Sequence, residues 1–353
     1  MTKYFCFFLC FYALFTSAQT TDTLKETHLN NIQQLTFGGD NAEAYFSFNG
    51  KYLSFQSNNP QWGLKCDQIF TMDIKKASKL MATYRPPMVS TGKGRTTCSY
   101  YLPNNSSVLY ASTHHYMDTC PATTPYNPKA KYVWPVYPEF DIFVSNKKGK
   151  VINQLTDTFG YDAEATVSPK GDLIVFTSTR SGDLELWTMN IDGTNPKQIT
   201  FGLGYDGGAF FSPDGTQLVF RASRPKTETE VAEYKDLLTQ GLVAPTNMEI
   251  YVCNIDGSNL KQVTHLGKAN WAPFFHPSGK KIVFSSNHAS SKGYSFQLYM
   301  VDLDGSNLKQ ITTQSNFNAF PMFSPDGKHL VWSSNRNNGG TRDTNLFIAD
   351  WVD

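Results

Sequence analysis

The chain has 353 residues, 40% of them hydrophobic and 14% aromatic, enough for a large packed core. Its 31 basic and 30 acidic residues nearly cancel, so the basic excess that nucleic acid or an anionic membrane surface would call for is absent. Beyond the N-terminal segment, no stretch is apolar for long enough to form a spanning helix.

In chain order, the first element is a targeting segment. Lys3 gives a positive start, Tyr4–Phe15 an apolar run, and Thr16-Ser17-Ala18 the small residues at which signal peptidase cuts. The expected division is a signal peptide at 1–18, a lead segment at 19–30 and one folded domain at 31–353. The mature protein is then periplasmic or secreted, with no membrane insertion after cleavage.

From residue 34 onward the chain repeats itself. QLTFGGDNAEAYFSFNGKYLSF (34–55), QLTDTFGYDAEATVSPKGDLIVF (154–176) and QITFGLGYDGGAFFSPDGTQLVF (198–220) are three copies. QVTHLGKANWAPFFHPSGKKIVF (262–284) and QITTQSNFNAFPMFSPDGKHLVW (310–332) are two more, and CSYYLPNNSSVLY (98–110) is a degenerate sixth. Each copy reads as a short strand, a loop, a second strand, a tight Pro/Asp/Gly turn and a third strand. Four short strands per unit, repeated, predict an all-β, six-bladed β-propeller. The last copy lacks its fourth strand, and Asn31–Thr36 is a strand without a unit. Their pairing would close the ring with three strands from one end and one from the other, removing an exposed edge. Two insertions break the rhythm. Residues 113–138 form a long loop rich in proline, and 224–247 contain the capping box Thr227–Glu230 followed by Val231, Tyr234 and Leu238 on one helical face. One inserted helix over about 227–240 is predicted there.

The turns SPDG, SPKG and HPSG, together with IDGTN, IDGSN and LDGSN, resemble TolB-type (WD40-like, PD40) propeller repeats over roughly 30–353. Propellers of this type also occur attached to serine and metallo-peptidases. The segments GKGRTTCSYYLP (92–103), ASTHHYMDTCP (111–121) and NLFIADW (345–351) are similar to exported bacterial propellers, some joined to a zinc aminopeptidase domain. The resemblance implies a fold, since propellers carry many unrelated activities.

Six residues before each turn serine or its counterpart stand Asn41, Thr96, Asp162, Asp206, Asn270 and Asn318. As a ring at the channel mouth they predict a binding site, with Glu43, Glu164 and Arg95 beside them. The competing role is to cap the first strands and order the loops. Cys66, Cys98 and Cys120 belong to one face of adjacent blades, and a disulfide of Cys98 with Cys66 or Cys120 would staple the 113–138 loop. With His114, His115 and Asp118 they match no zinc spacing, so no metal or cofactor is expected. Cys253 reads as apolar filling inside a strand.

No GxSxG or HExxH motif occurs, so no catalytic residue is assigned. The sequence predicts an exported propeller that binds a protein or peptide, or serves as a scaffold, through a face that includes Trp62, Trp134 and Trp271. A small molecule or glycan is a further ligand class; nucleic acid is excluded. Two alternatives stay open. One is a carbohydrate-active enzyme, a lyase or glycosidase, using Glu43, Glu164, Asp162, Asp206, His265 and Arg95. The other is an accessory propeller for a separate peptidase.

Overall fold

A computed structural model describes residues 25–121, 131–291 and 293–353. The expected signal segment, 1–18, and the start of the expected lead segment lie outside these residues. Six antiparallel sheets follow one another as blades, each running outward from an inner strand. The inner strands are Asp40–Phe46, Thr96–Tyr101, Asp162–Val167, Asp206–Phe211, Asn270–Phe275 and Asn318–Phe323. Adjacent blades bury their apolar faces on each other. Phe55, Phe176, Phe220, Phe284 and Trp332, on the second strands, are each fully buried between neighbours.

The ring closes as the repeats imply. Leu29–Gln34 pairs with Asn345–Trp351 in the last blade, with Leu29 opposite Trp351 and Gln34 opposite Phe347. The lead segment also takes part. Glu26 accepts from Arg336 at 3.1 Å and from the backbone N–H of Thr313, and His28 stacks on Trp351 at 4.9 Å.

The inserted helix forms at Glu228–Thr239 with its capping box complete, and Tyr234 is its buried residue. The sequence reading missed a second helix. Ile74–Leu80, capped by the Asp73 carboxylate, stands where the first blade would have its outermost strand, and that sheet has three strands. The two insertions meet: Trp134–Pro135 pairs antiparallel with Leu242–Val243 as a small separate sheet. One disulfide joins Cys66 to Cys120. Cys98, expected as one of the partners, is a free thiol because its strand turns it toward the channel. Cys253 is free and buried. No helix among the described residues is long and apolar enough to cross a membrane.

Candidate functional site

Loops that enter the first strands and loops that join second to third strands lie on one face, called here the loop face. The Pro/Asp/Gly turns lie on the other, the turn face. The repeated polar ring sits at the loop-face end of the inner strands, yet its side chains turn into the blades. Asn41, Thr96, Asp162, Asp206, Asn270 and Asn318 are all buried. Asn41 donates to Gly38 O at 3.0 Å and Thr344 O at 2.9 Å, and accepts from Ser57 at 2.9 Å. Asn270 donates to Met248 O at 2.8 Å and accepts from Ser286 at 2.6 Å. Asp162 takes the Arg180 guanidinium at 2.7 Å, Asp206 that of Arg224 at 2.9 Å, and Asn318 that of Arg336 at 3.1 Å. The partner arginine stands 18 positions later in all three cases. These residues fasten the first strand to the end of the second and to the preceding blade. Thr96 alone of the six also touches the central cavity, while donating to Asp67 O at 3.0 Å. His265 hydrogen-bonds Gln262 on the surface and does not join the carboxylates.

What lines the channel stands two residues further on. Each inner strand slips register at the same place, so one extra residue bulges toward the axis. The bulge residues are Glu43, Cys98, Glu164, Gly208, Ala272 and Phe320, all left-handed, with φ between 44° and 60°. Opposite the residue just before each bulge, the second strand places Gln56, Ala111, Thr177, Arg221, Ser285 or Ser333. The bulge residues, with Gln56 and Arg221 from the second strands and Trp134, Pro135 and Val243 from the bridging sheet, line a cavity of about 420 Å³.

Glu164 is the most heavily held group in it. Its carboxylate accepts from Thr177 at 2.7 Å, Tyr205 at 2.7 Å and the Gly208 N–H at 2.9 Å, and forms a buried ion pair with Arg221. Burial pushes this carboxyl up, but Arg221 and the two hydroxyls outweigh it and hold the group below the ordinary value. Two glycines make the approach feasible. A Cβ on Gly207 would lie 2.4 Å from Glu164 Oε2, and one on Gly208 would lie 1.8 Å from an Arg221 nitrogen. A second ion pair spans Asp67 and Arg95, at 2.8 and 3.1 Å.

Glu43 has no such support. Its Oε2 is shielded from solvent and lacks a hydrogen-bond partner. Burial, opposed by a contact with Cys98 and reinforced by Glu164, pushes its carboxyl up to about 7. Burial also pushes the Cys98 thiol well above its usual value, so it stays protonated.

Aromatic rings form the remaining wall. Trp134 and Trp271 meet at 5.0 Å, the Arg221 guanidinium lies 5.3 Å from the Trp134 ring, and Trp271 donates to Pro245 O at 2.8 Å. Trp62 stands in a loop of the same face but outside this cavity, packed on Phe70. The channel does not run through. Tyr45, Tyr100, Phe210 and Phe274 contact one another at 5.1–6.4 Å and plug its middle. A separate cavity of about 310 Å³ lies below, on the turn face.

Of the expected site residues, the structure therefore brings Glu43, Glu164, Arg95 and Thr96 to the cavity and withdraws Asn41, Asp162, Asp206, Asn270 and Asn318 into the blades. The sequence reading missed Arg221, Tyr205, Gln56 and Asp67. Aligning the second strands could have found Arg221, the one charged residue at a position otherwise held by Gln, Ala, Thr or Ser.

A closed ring of six four-position blades with a plugged channel defines the protein as a six-bladed β-propeller. The family model of the TolB beta propeller domain matches residues 107–244 and 242–342, and the chain belongs to that family. Solved structures agree on the fold. A protein described as TolB from Agrobacterium tumefaciens is 19% identical, with 89% of this chain and 91% of that one covered, at a TM-score of 0.54. TolB from Acinetobacter baumannii is 17% identical over 88% of this chain and 63% of its own length, at 0.53. An oligogalacturonate lyase from Vibrio parahaemolyticus is 11% identical, covering 90% and 93%, at 0.50. At these identities the likeness is one of fold.

Proposed function

We propose that this propeller is a recognition module whose loop face docks a protein or peptide segment, in the periplasm or outside the cell. One observation carries the reading. Among the described residues, the exposed large aromatic side chains are Tyr116, Tyr132, Phe159, Phe201 and Tyr294. All five stand in loops of the loop face, and Tyr132 lines the charged cavity. Phe159 and Phe201 keep 77% and 76% of their surface open to water. Apolar rings exposed together on one face of a folded domain mark an interaction site, and aromatic residues dominate binding hot spots. The TolB-type fold and the disulfide that staples a loop of this face support an exported binding protein.

The carbohydrate-active alternative needs a free second carboxylate beside Glu43. Glu164 already accepts three hydrogen bonds and an ion pair, which leaves it nothing to offer a sugar. The accessory-propeller reading is the special case in which the docked partner is a peptidase.

The test compares the mature protein with Phe159→Ser/Phe201→Ser and with a turn-face control, Leu260→Ser/Leu308→Ser. Each is immobilised against an extract of the native envelope. A partner retained by the wild type and the control but lost from the loop-face variant is the expected result. Equal retention by all three would overturn the assignment of the face.

A further inference from the structure

The charges of the loop-face cavity do not balance. Three carboxyls line it, those of Glu43, Asp67 and Glu164, against two guanidiniums, those of Arg95 and Arg221. Each guanidinium is committed: Arg95 to Asp67, Arg221 to Glu164. Glu43 is left without a counter-ion and with one oxygen unpartnered. The same cavity is lined by aromatic side chains, Tyr45, Tyr161, Phe210, Trp134 and Trp271. An acid without a counter-ion, set among ring faces, is the arrangement that favours an organic cation over an anion or a neutral group. The cavity has room for a side chain with its stem rather than a bare metal ion.

We propose that the cavity binds one alkylammonium group, with the Glu43 carboxylate as its counter-ion and the surrounding rings enclosing its stem. The ammonium comes from a lysine side chain or amino terminus of a docked segment, or from a free small amine. The first source rests on the docking role proposed for the loop face; the second does not.

The site has a built-in pH dependence. Facing Glu43 are Cys98 from the second blade, Glu164 from the third, Arg221 from the fourth and Asp67 from its own blade. Glu164 is held ionised by Arg221 and Cys98 keeps its proton, so Glu43 is the one of these that changes state near neutrality. With its carboxyl at about 7, the ionised fraction rises about tenfold between roughly pH 6 and pH 8, whereas an alkylammonium stays charged throughout.

Calorimetry on the mature protein tests this with N-acetyl-lysine methylamide, its norleucine counterpart and butylamine as probes. The lysine probe is expected to bind, about tenfold more tightly near pH 8 than near pH 6, with a proton released near pH 7. The norleucine probe is expected to bind far more weakly. Glu43→Gln keeps the shape of the side chain and is expected to abolish both the preference for lysine and the pH dependence, while unfolding in a single transition as the wild type does. Butylamine binding as tightly as the lysine probe assigns the site to free amines; weaker butylamine binding assigns it to a segment-borne ammonium. Equal binding of lysine and norleucine, unchanged binding by Glu43→Gln, or no binding of any amine would each overturn the proposal. Phe159→Ser/Phe201→Ser separates the two readings. Amine binding that persists in this variant after partner capture is lost supports both. Partner capture with no amine binding leaves the docking face standing without its cation pocket.

Discussion

The two ends of the channel are built on one backbone and filled in opposite ways. On the turn face, the third to sixth blades each contribute a proline from the same turn. Pro169, Pro213, Pro277 and Pro325 ring an apolar hollow with Phe46, Phe211, Phe275 and Phe323, and no charged side chain lines it. On the loop face, the six equivalent bulge positions hold two glutamates, a cysteine, a glycine, an alanine and a phenylalanine. Uniformity at one end reflects a shared packing task, repeated in those four blades. The bulge positions share one backbone geometry but not one environment: Ala272 and Phe320 join the apolar cluster of Trp271 and Phe296, whereas Glu43 and Glu164 bring carboxyls to the cavity, and it is there that the chain departs from its own repeat. The difference teaches that, in a repeat protein, repetition marks the scaffold and irregularity marks the site.

The sharpest way to break the comparison is to remove a charge from the irregular end. Arg221→Ala leaves Glu164 buried without its counter-ion and is expected to cost about 3–5 kcal/mol in denaturant unfolding. Adding Glu164→Ala should recover part of that loss, which a purely steric role for Arg221 would not allow. Phe210 borders both cavities. Phe210→Ala merges them and should cost about 3 kcal/mol, the usual range for a buried ring.

Titration gives the next effect. The Glu43 carboxyl, at about 7 in the folded state against an ordinary 4.5, stabilises the fold only while protonated. That contribution is full below about pH 4.5 and is lost as pH rises through 7. Glu43→Gln should match the wild type near pH 4.5 and exceed it by about 1–3 kcal/mol near pH 8, read from urea midpoints across the range. Glu185, raised by burial to about 7, and Asp141, raised by burial to about 6, add a downward trend of the same sign. They remain in the variant, so its profile flattens without becoming level.

The smallest effects set the two ends directly against each other. Ala272 is left-handed at φ 47°, where glycine is at ease, so Ala272→Gly should gain about 0.5–1 kcal/mol. The reverse exchange on the turn face should lose. Gly171 has φ +74°, and a Cβ there would lie 2.3 Å from Pro103 Cγ, so Gly171→Ala is expected to cost about 1–2 kcal/mol. A thermal melt of each variant reads both signs.

Much of this scaffold was legible in the residues alone. Turn chemistry is local, so Ser212-Pro213-Asp214-Gly215 and its relatives announced the blades, and Thr227–Glu230 announced the helix. The polar ring carries the fastening role that its sequence pattern offered beside a binding role. Asn41 and its five counterparts recur because each first strand needs the same fastening, and recurrence drew attention to them rather than to the bulges beside them. Glu43 and Glu164 stand out in the sequence as acids beside the ring, but their opposite states depend on Arg221 and Tyr205, which arrive from another blade. The helix at Ile74–Leu80 was hidden because a repeat leads one to expect a strand at that place. Among the cysteines, spacing could gather three on one face, but only the bulge geometry turns Cys98 away from Cys66 and Cys120.

The pairing of Leu29–Gln34 with Asn345–Trp351 also sets an order in time. On a chain emerging N-terminus first, the opening strand has no partner until more than 300 residues have followed it. Blades one to five can assemble from neighbouring sequence as it appears, whereas the seam waits for Asn345–Trp351 to be made. Glu26 waits with it, since its partner Arg336 lies in the same late stretch. The closing step is therefore the one non-local event in an otherwise local folding sequence, and a chaperone or a strand from a second molecule would compete for the edge during that interval.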